Sequence, residues 1–290
     1  MLLVFQPSYD KACFSSLLKE PVSNLPRIWW CATGPLAFLP IHAAGIYTST
    51  TKAGSTLSDF AISSYIPTVR ALSERVKAPP AIDKKKIALF MVSQPKTPNM
   101  APIAGTTKEV RAIKELLENH NLGVLWLESA TVREAIINME THSCIHFACH
   151  GSQNTLEPLK SGFMFQDGAL ELSAIVKENL VGADLAYLSA CQTSTGDEKL
   201  SEEAVHLAAG MLAAGYRGVV ATMWSISDKH GPQVARDFYT SLMMHGAKSG
   251  RLSALSSDDA ARALHYATQK LRQEEPSSLF VWIPYVHFGL

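Results

Sequence analysis

The amino-acid sequence predicts an α/β fold in which helices flank a mostly parallel sheet, with an N-terminal α/β subdomain. Two observations lead to this prediction. Short segments that are apolar throughout recur along the chain, and strands of that kind are buried on both faces of a sheet. Segments with apolar residues at helical spacing lie between them, and this alternation is typical of parallel sheets.

Each element is predicted from its own local pattern. The apolar runs predict strands over residues 87–92, 124–127, 144–148, 185–188, 218–223 and 279–285. Helical spacing predicts two helices that begin near the candidate caps Thr106 and Thr131. The same spacing predicts further helices over residues 204–214, 233–244 and 258–272. Asp167-Gly168, between two apolar segments, predicts a β-hairpin with a two-residue turn.

The chain is predicted to divide near residue 80. Residues 77–86 contain two adjacent prolines and three adjacent lysines, which is typical of a stiff, polar linker. We therefore predict an N-terminal α/β subdomain over residues 1–80 and a larger domain over residues 81–290. The N-terminal region can also be interpreted as an extension of the same sheet.

The composition argues against several classes of function. Lys and Arg together number 26, as do Asp and Glu, so net charge gives no basis for binding nucleic acid or an anionic membrane. No apolar run approaches the ~20 residues of a membrane-spanning helix. The five cysteines include no C-x-x-C pair, which argues against a disulfide framework and a metal site. We predict reduced thiols, a cytoplasmic location and no metal or cofactor.

Two of the predicted strands end at residue types that can carry out catalysis. One strand ends at His150-Gly151, and the other ends at Cys191. In open α/β sheets, ligands bind outside the carboxyl ends of the strands. If the two strands are neighbours, His150 and Cys191 lie side by side at one edge of the sheet.

Such a pair suits nucleophilic catalysis. A free thiol with a pKa of about 8.5 is mostly protonated at neutral pH, and a nearby imidazole raises the thiolate fraction. The thiolate attacks a carbonyl carbon, and the imidazolium returns a proton to the leaving amine. The backbone N–H groups of Gly151 and Cys191 are candidates for the oxyanion hole. The sequence identifies no third residue that orients the histidine.

Each of these residues also has a structural interpretation. A cysteine at the end of an apolar strand is often buried and inert, and a histidine before glycine is often a loop residue. His146 shares strand parity with His150 and suggests a metal pair with Cys144. A strand buried on both faces is a poor metal site, and no carboxylate lies nearby in sequence. On the residues alone, catalysis and a structural role both stay open.

The segments 147–151 (FACHG) and 188–193 (LSACQT) resemble the catalytic motifs of the CHAT family. These are caspase-like cysteine peptidases related to separase and often fused to tetratricopeptide repeats. The resemblance extends over residues 29–40, 63–68, 208–218 and 219–228, and so covers nearly the whole chain. It implies a caspase-hemoglobinase-like fold, a dyad of His150 and Cys191, and a caspase-like catalytic domain over residues 81–290.

The resemblance also carries an expectation about specificity. Caspases read Gln-Ala-Cys-[Arg/Gln/Gly]-Gly around the cysteine, whereas Ser189 and Thr193 stand at the flanking positions here, which favours the separase side. Separases cleave after basic residues and use an acidic group in the pocket. Asp228 and Asp197, with Trp224 beside them, are the candidates for substrate binding. In the structural alternative, Asp228 caps a helix and Asp197 is a solvated loop residue.

The predicted function is therefore a cysteine endopeptidase that acts on a protein or peptide substrate, with no nucleic-acid or membrane partner. By the resemblance, a tetratricopeptide-repeat or other regulatory domain would control it. One alternative is a catalytically silent caspase-like module for interaction or signalling. Another is a different thiol enzyme, such as an acyltransferase or amidase, because the same dyad would serve its chemistry.

Overall fold

A computed structural model describes most of the chain. The described residues are 2–5, 25–47, 55–77, 89–152, 154, 156–192, 203–224, 226, 229–248 and 255–290. For residues 2–5, 38, 74, 75, 190–192 and 203–206, the backbone alone is described.

The strands form one eleven-stranded sheet. They are β1 (Leu2–Phe5), β2 (Arg27–Cys31), β3 (Ile62–Tyr65), β4 (Leu89–Ser93), β5 (Val124–Glu128), β6 (Cys144–Ser152), β7 (Gly162–Phe165), β8 (Gly168–Glu171), β9 (Leu185–Gln192), β10 (Gly218–Thr222) and β11 (Tyr285–Gly289). Their order is β1-β2-β3-β11-β10-β9-β6-β4-β5, and the β7–β8 hairpin joins β6. The pairs β1–β2, β10–β11, β6–β7 and β7–β8 are antiparallel. The other pairs are parallel, so the predicted mostly parallel sheet is confirmed.

Helices cover both faces of this sheet. They are α1 (Val69–Lys77), α2 (Gly105–Glu118), α3 (Val132–Thr141), α4 (Leu172–Lys177), α5 (Glu203–Ala213), α6 (Gly231–Lys248), α7 (Ala260–Glu274) and α8 (Leu279–Trp282). Alternate residues of each central strand enter different cores, because successive side chains of a strand point to opposite faces. One core lies under α2, α6 and α7, and the other lies under α3, α4 and α5. The molecule is therefore a three-layer α/β/α sandwich.

Local hydrogen bonds explain where helix α3 begins, and they correct the predicted start of α2. Helix α3 starts after Thr131, whose hydroxyl accepts from the N–H of Glu134 while the Glu134 carboxylate accepts from the N–H of Thr131. This reciprocal capping box confirms the predicted cap. The prediction at Thr106 is wrong, because α2 already begins at Gly105 and the Thr106 hydroxyl donates to the carbonyl of Ile103.

The predicted strand over residues 279–285 is also wrong. Its first part is the short helix α8, and β11 starts only at Tyr285, after Pro284. A short apolar run does not distinguish a buried helical turn from a strand. Trp282 needs the helical turn, which buries it to 2% exposure.

The N-terminal strands continue the sheet of the larger region. Strand β3 pairs with β2 on one side and with β11 on the other, where Tyr65 lies opposite Phe288. The indole N–H of Trp29 on β2 also donates to the carbonyl of Gly289 at 2.9 Å. The division at residue 80 stays a prediction, and residues 78–88 lie outside the described residues.

Candidate active site

The two motif strands are neighbours in the centre of the sheet. Strands β6 and β9 run parallel over eight paired positions, from Cys144 opposite Leu185 to Gly151 opposite Gln192. In this register, His150 is paired directly with Cys191. The backbone therefore brings together the histidine and the cysteine that the sequence singles out, and the Cys191 side chain lies outside the described residues.

His150 is held by a backbone carbonyl from the loop that precedes α2. The side chain is fully buried, and its Nε2 lies 2.8 Å from the carbonyl oxygen of Ala101. Because a carbonyl oxygen only accepts, this contact places a hydrogen on Nε2, and a neutral imidazole then has its lone pair on Nδ1. Among the described residues, Nδ1 has no hydrogen-bond partner. Within the part of the chain that the structure describes, Nδ1 is thus an acceptor without a donor, as a general base requires.

A second strand supports β6 at this position. Strand β4 pairs with β6 as far as Ala148, and β7 takes its place by pairing Met164 with His150. Gly151 lies between Gln192 of β9 and Phe163 of β7. The predicted role of its N–H group in an oxyanion hole stays a prediction.

The candidate specificity residues are only partly described. Trp224 follows β10 at the sheet edge where β9 also ends, since these two strands are parallel. Its ring contacts Phe280 edge-on, with 6.2 Å between ring centroids, and Phe280 is 80% exposed. Asp197 and Asp228 lie outside the described residues.

A buried polar network lies on the same face of the sheet as His150. The Glu109 carboxylate of α2 accepts a 3.0 Å hydrogen bond from the Ser189 hydroxyl, and its other oxygen lies 3.0 Å from His146 Nε2. The contact between Glu109 and His146 is at ion-pair distance but is not aligned as a hydrogen bond, so we treat it as electrostatic.

Two tyrosines complete this network. The Tyr239 hydroxyl lies 3.2 Å from His146 Nδ1, and Tyr187 stacks on the His146 ring with 4.7 Å between centroids. Burial raises the pKa of both tyrosines well above the ordinary value, which keeps the hydroxyls protonated. Within the described part of the chain, no group of three potential ligands is placed to hold a metal ion.

Sequence reasoning missed two groups of this site. The role of the Ala101 carbonyl cannot be recognised in the sequence, because every residue has a backbone carbonyl. Glu109 did leave a signal, since it lies on the same helical face as Val110 and Ile113, which belong to the core. A carboxylate in an apolar stripe indicates a buried partner, and His146 and Ser189 are those partners.

The mostly parallel sheet and the helices on both of its faces define a caspase-like α/β fold. The CHAT-domain family model matches residues 9–290, and the chain therefore belongs to the CHAT-domain family. Among curated proteins, none matches the chain in sequence.

Two solved structures are similar to this chain. The crystal structure of the Arg-specific cysteine proteinase gingipain R matches with a TM-score of 0.50 and 9% identity, over 79% of this chain and 54% of that one. The Saccharomyces cerevisiae separase–securin complex matches with a TM-score of 0.48 and 12% identity, over 81% of this chain and 14% of that one. The likeness to gingipain shows the fold, and this chain spans only about half of the gingipain chain.

None of the described helices combines the length and the apolar character that crossing a membrane requires.

Proposed function

We propose that this chain is a cysteine endopeptidase in which His150 is the general base and Cys191 is the nucleophile. The observation that carries the proposal is the register of β6 and β9, which pairs the two residues directly. Residues paired across neighbouring strands share a face of the sheet. Membership of the CHAT-domain family and the fold shared with a cysteine proteinase support the same conclusion.

The hydrogen bonds of His150 support a definite direction of proton transfer. Since Nε2–H donates to the Ala101 carbonyl, Nδ1 is the nitrogen that takes the thiol proton. The Cys191 thiolate then attacks the peptide carbonyl carbon, and the proton on Nδ1 passes to the leaving amine. Water, deprotonated by the same nitrogen, hydrolyses the thioester and regenerates the thiol. The Ala101 carbonyl stabilises the imidazolium during both steps.

Substrate recognition is the finer part of the proposal. Gly151 contributes an N–H group to the oxyanion hole. Asp228 and Asp197 favour Arg or Lys at the cleaved position, and Trp224 lines the site. A tetratricopeptide-repeat or other regulatory domain controls access. We also place the protein in the cytoplasm, which is supported by the free thiols of Cys31, Cys144 and Cys149.

A peptide-library experiment tests the proposal. The chain is incubated with a diverse peptide mixture, and cleavage sites are identified by mass spectrometry. Cys191→Ala and His150→Ala each lower kcat/KM by about 10³-fold or more, because each removes one half of a unit that acts together. Cys149→Ala is the matched control, since Cys149 is a buried thiol next to His150, and it retains activity.

The outcomes separate the competing functions. Cleavage after Arg or Lys supports the acidic pocket, and faster cleavage of a matched Asp-ending reporter contradicts it. A Cys191 thiol that reacts with iodoacetamide at neutral pH no faster than in His150→Ala contradicts the dyad and favours a silent module. Turnover of acyl donors without peptide cleavage would assign the dyad to an acyltransferase or amidase.

A further inference from the structure

The Glu109 carboxylate connects the two strands that carry the dyad. Ser189, which donates to one of its oxygens, lies on β9 two residues before Cys191. His146, which contacts the other oxygen, lies on β6 four residues before His150. All three side chains are almost completely buried, with 3% exposure for Glu109, 5% for Ser189 and 0% for His146. One carboxylate thus contacts both strands from the same side.

The contact lies one layer below the dyad. Ala148 is paired with Ser189, and the next pair on the same face of the two strands is His150 with Cys191. Glu109 contacts Ser189 in the layer directly beneath the proposed catalytic pair.

The fold does not need a carboxylate at this position. Val110, Ile113 and Leu117 already anchor α2 in the core, and an apolar residue would be cheaper to bury than a charged one. A buried polar group in such a place is explained if it fixes one arrangement of its neighbours. The neighbours of Glu109 are the strands of the base and of the nucleophile.

The segment before Glu109 also contacts the proposed site. Ala101, in the loop that leads into α2, accepts from His150 Nε2 at 2.8 Å. Ala101, at the start of the segment 101–109, therefore contacts the His150 imidazole, and Glu109, at its end, contacts both strands. A shift of α2 relative to the sheet would change the position of the base and the spacing of the two strands together.

We propose that Glu109 is a positioning residue, which holds β6 and β9 in the register and spacing that bring His150 and Cys191 together. This inference rests on the proposed dyad and adds to it a group that does not touch the substrate. The reactivity of Cys191 should then depend on the contacts that Glu109 makes with Ser189 and His146.

Alkylation of Cys191 by iodoacetamide tests this role without the need for a peptide substrate. The native protein is treated at pH 7, and the modified cysteine peptides are quantified by mass spectrometry. Glu109→Ala slows alkylation of Cys191 by about tenfold or more, because misplacement of a reacting group by a fraction of an ångström is costly. Glu109→Gln, which keeps an acceptor for Ser189, recovers part of the rate, and Ser189→Ala gives an intermediate loss.

Three controls exclude a general loosening of the structure. Cys144 and Cys149 are buried at 3% and 0% exposure, so their alkylation reports on opening of the fold. Glu115→Gln changes an exposed carboxylate of the same helix and leaves the Cys191 rate unchanged. Ile113→Val weakens the packing of α2 on the sheet without touching the network, and it also leaves the Cys191 rate unchanged.

The results distinguish the inference from the proposed function. A wild-type rate no faster than that of His150→Ala overturns the dyad and, with it, the role of Glu109. A fast wild-type rate that Glu109→Ala and Ser189→Ala both retain overturns the inference alone. Equal slowing by Ile113→Val also overturns the inference, because the effect would then come from a loss of stability. Faster alkylation of Cys149 in Glu109→Ala would have the same meaning. Slowing confined to the Glu109 and Ser189 variants supports it, and peptide cleavage then shows lower kcat at constant KM.

Discussion

His150 and His42 both contact a backbone carbonyl through Nε2, but they differ at Nδ1. His42 Nε2 lies 2.9 Å from the carbonyl of Ile283, just as His150 Nε2 lies 2.8 Å from that of Ala101. At His42, however, Nδ1 accepts from the Tyr65 hydroxyl at 2.8 Å. At His150, Nδ1 has no partner among the residues that the structure describes.

The difference separates a structural histidine from a candidate base. A ring with both nitrogens bonded connects parts of the fold, here the turn over residues 41–43, Tyr65 of β3 and Ile283 at the end of α8. Its environment opposes protonation, because burial lowers the pKa of His42 to about 4, although the Ile283 carbonyl acts in the opposite direction. A ring with a free lone pair can instead accept a proton from a neighbour.

The largest expected contrast is between His150→Gln and His42→Gln. The first variant lowers kcat/KM by about 10³-fold, because the base is lost. The second retains activity within about twofold at 25 °C but unfolds more easily, by about 1–3 kcal/mol, since it disturbs two buried hydrogen bonds. Peptide cleavage and urea unfolding at pH 7 measure the two effects. A similar loss of activity in both variants would remove the distinction between the two sites.

The second contrast is the dependence of stability on pH. Unfolded His42 has a pKa of about 6.5, whereas its folded value is about 4. Between these values the unfolded chain binds a proton that the folded chain does not, so stability falls as pH drops through this window. We expect wild type to lose about 2 kcal/mol more than His42→Gln between pH 7 and pH 4.5. Equal losses in urea unfolding would contradict the assignment of His42.

Two other buried histidines titrate in the same direction. Burial also lowers the pKa of His265 to about 4, and it lowers that of His287. Both remain in the variant, so the contribution of His287 cancels in the difference, whereas the difference also includes the loss of the smaller electrostatic effect of His42 on His265. His265→Gln, measured in the same way, serves as a second test of the same window.

The smallest expected effect comes from a change beside the Glu109 network. A Cβ atom at Gly231 would lie 3.2 Å from Glu109 Oε2 and 3.3 Å from Ile226 Cδ1. Gly231→Ala therefore displaces the carboxylate slightly, and we expect alkylation of Cys191 to slow by about two- to fivefold. Alanine favours the helix that begins at this residue, so a weaker α6 would not explain the slower rate.

A double-mutant cycle checks the route of this effect. If Gly231→Ala acts through Glu109, it causes no further slowing in a Glu109→Ala background, because the group that it displaces is absent. Independent, additive slowing in the double variant would show that the methyl group acts elsewhere.

The two motif strands were predictable from the sequence because they depend on local chemistry, although their ends were not, since β6 continues past His150 to Ser152 and β9 continues to Gln192. Continuous apolar runs that stop at His150 and Cys191 indicated buried parallel strands with reactive ends, and β6 and β9 are adjacent and in register. The capping box at Thr131 was readable for the same reason. The family resemblance added the dyad and the fold, and the match over residues 9–290 confirms the family.

The partners of the site were not predictable because they come from remote segments. Glu109 and Ala101 reach the sheet only after α2 has packed on it, and neither lies near His150 in sequence. The hairpin shows the same limit on a smaller scale. Asp167-Gly168 indicated the turn, but Phe165 is paired with Gly168, so Gln166 and Asp167 form the loop and Gly168 starts β8 with a φ of +148°.

The double support of β6 has a consequence for heat inactivation. Where β4 ends, β7 continues the pairing, so His150 and Gly151 have strand partners on both sides, in β7 and in β9. Amide hydrogens in such a position exchange with solvent only when most of the structure opens. We therefore expect the backbone amide of the proposed base to exchange slowly. On heating, its imidazole should keep its place until the sheet itself melts.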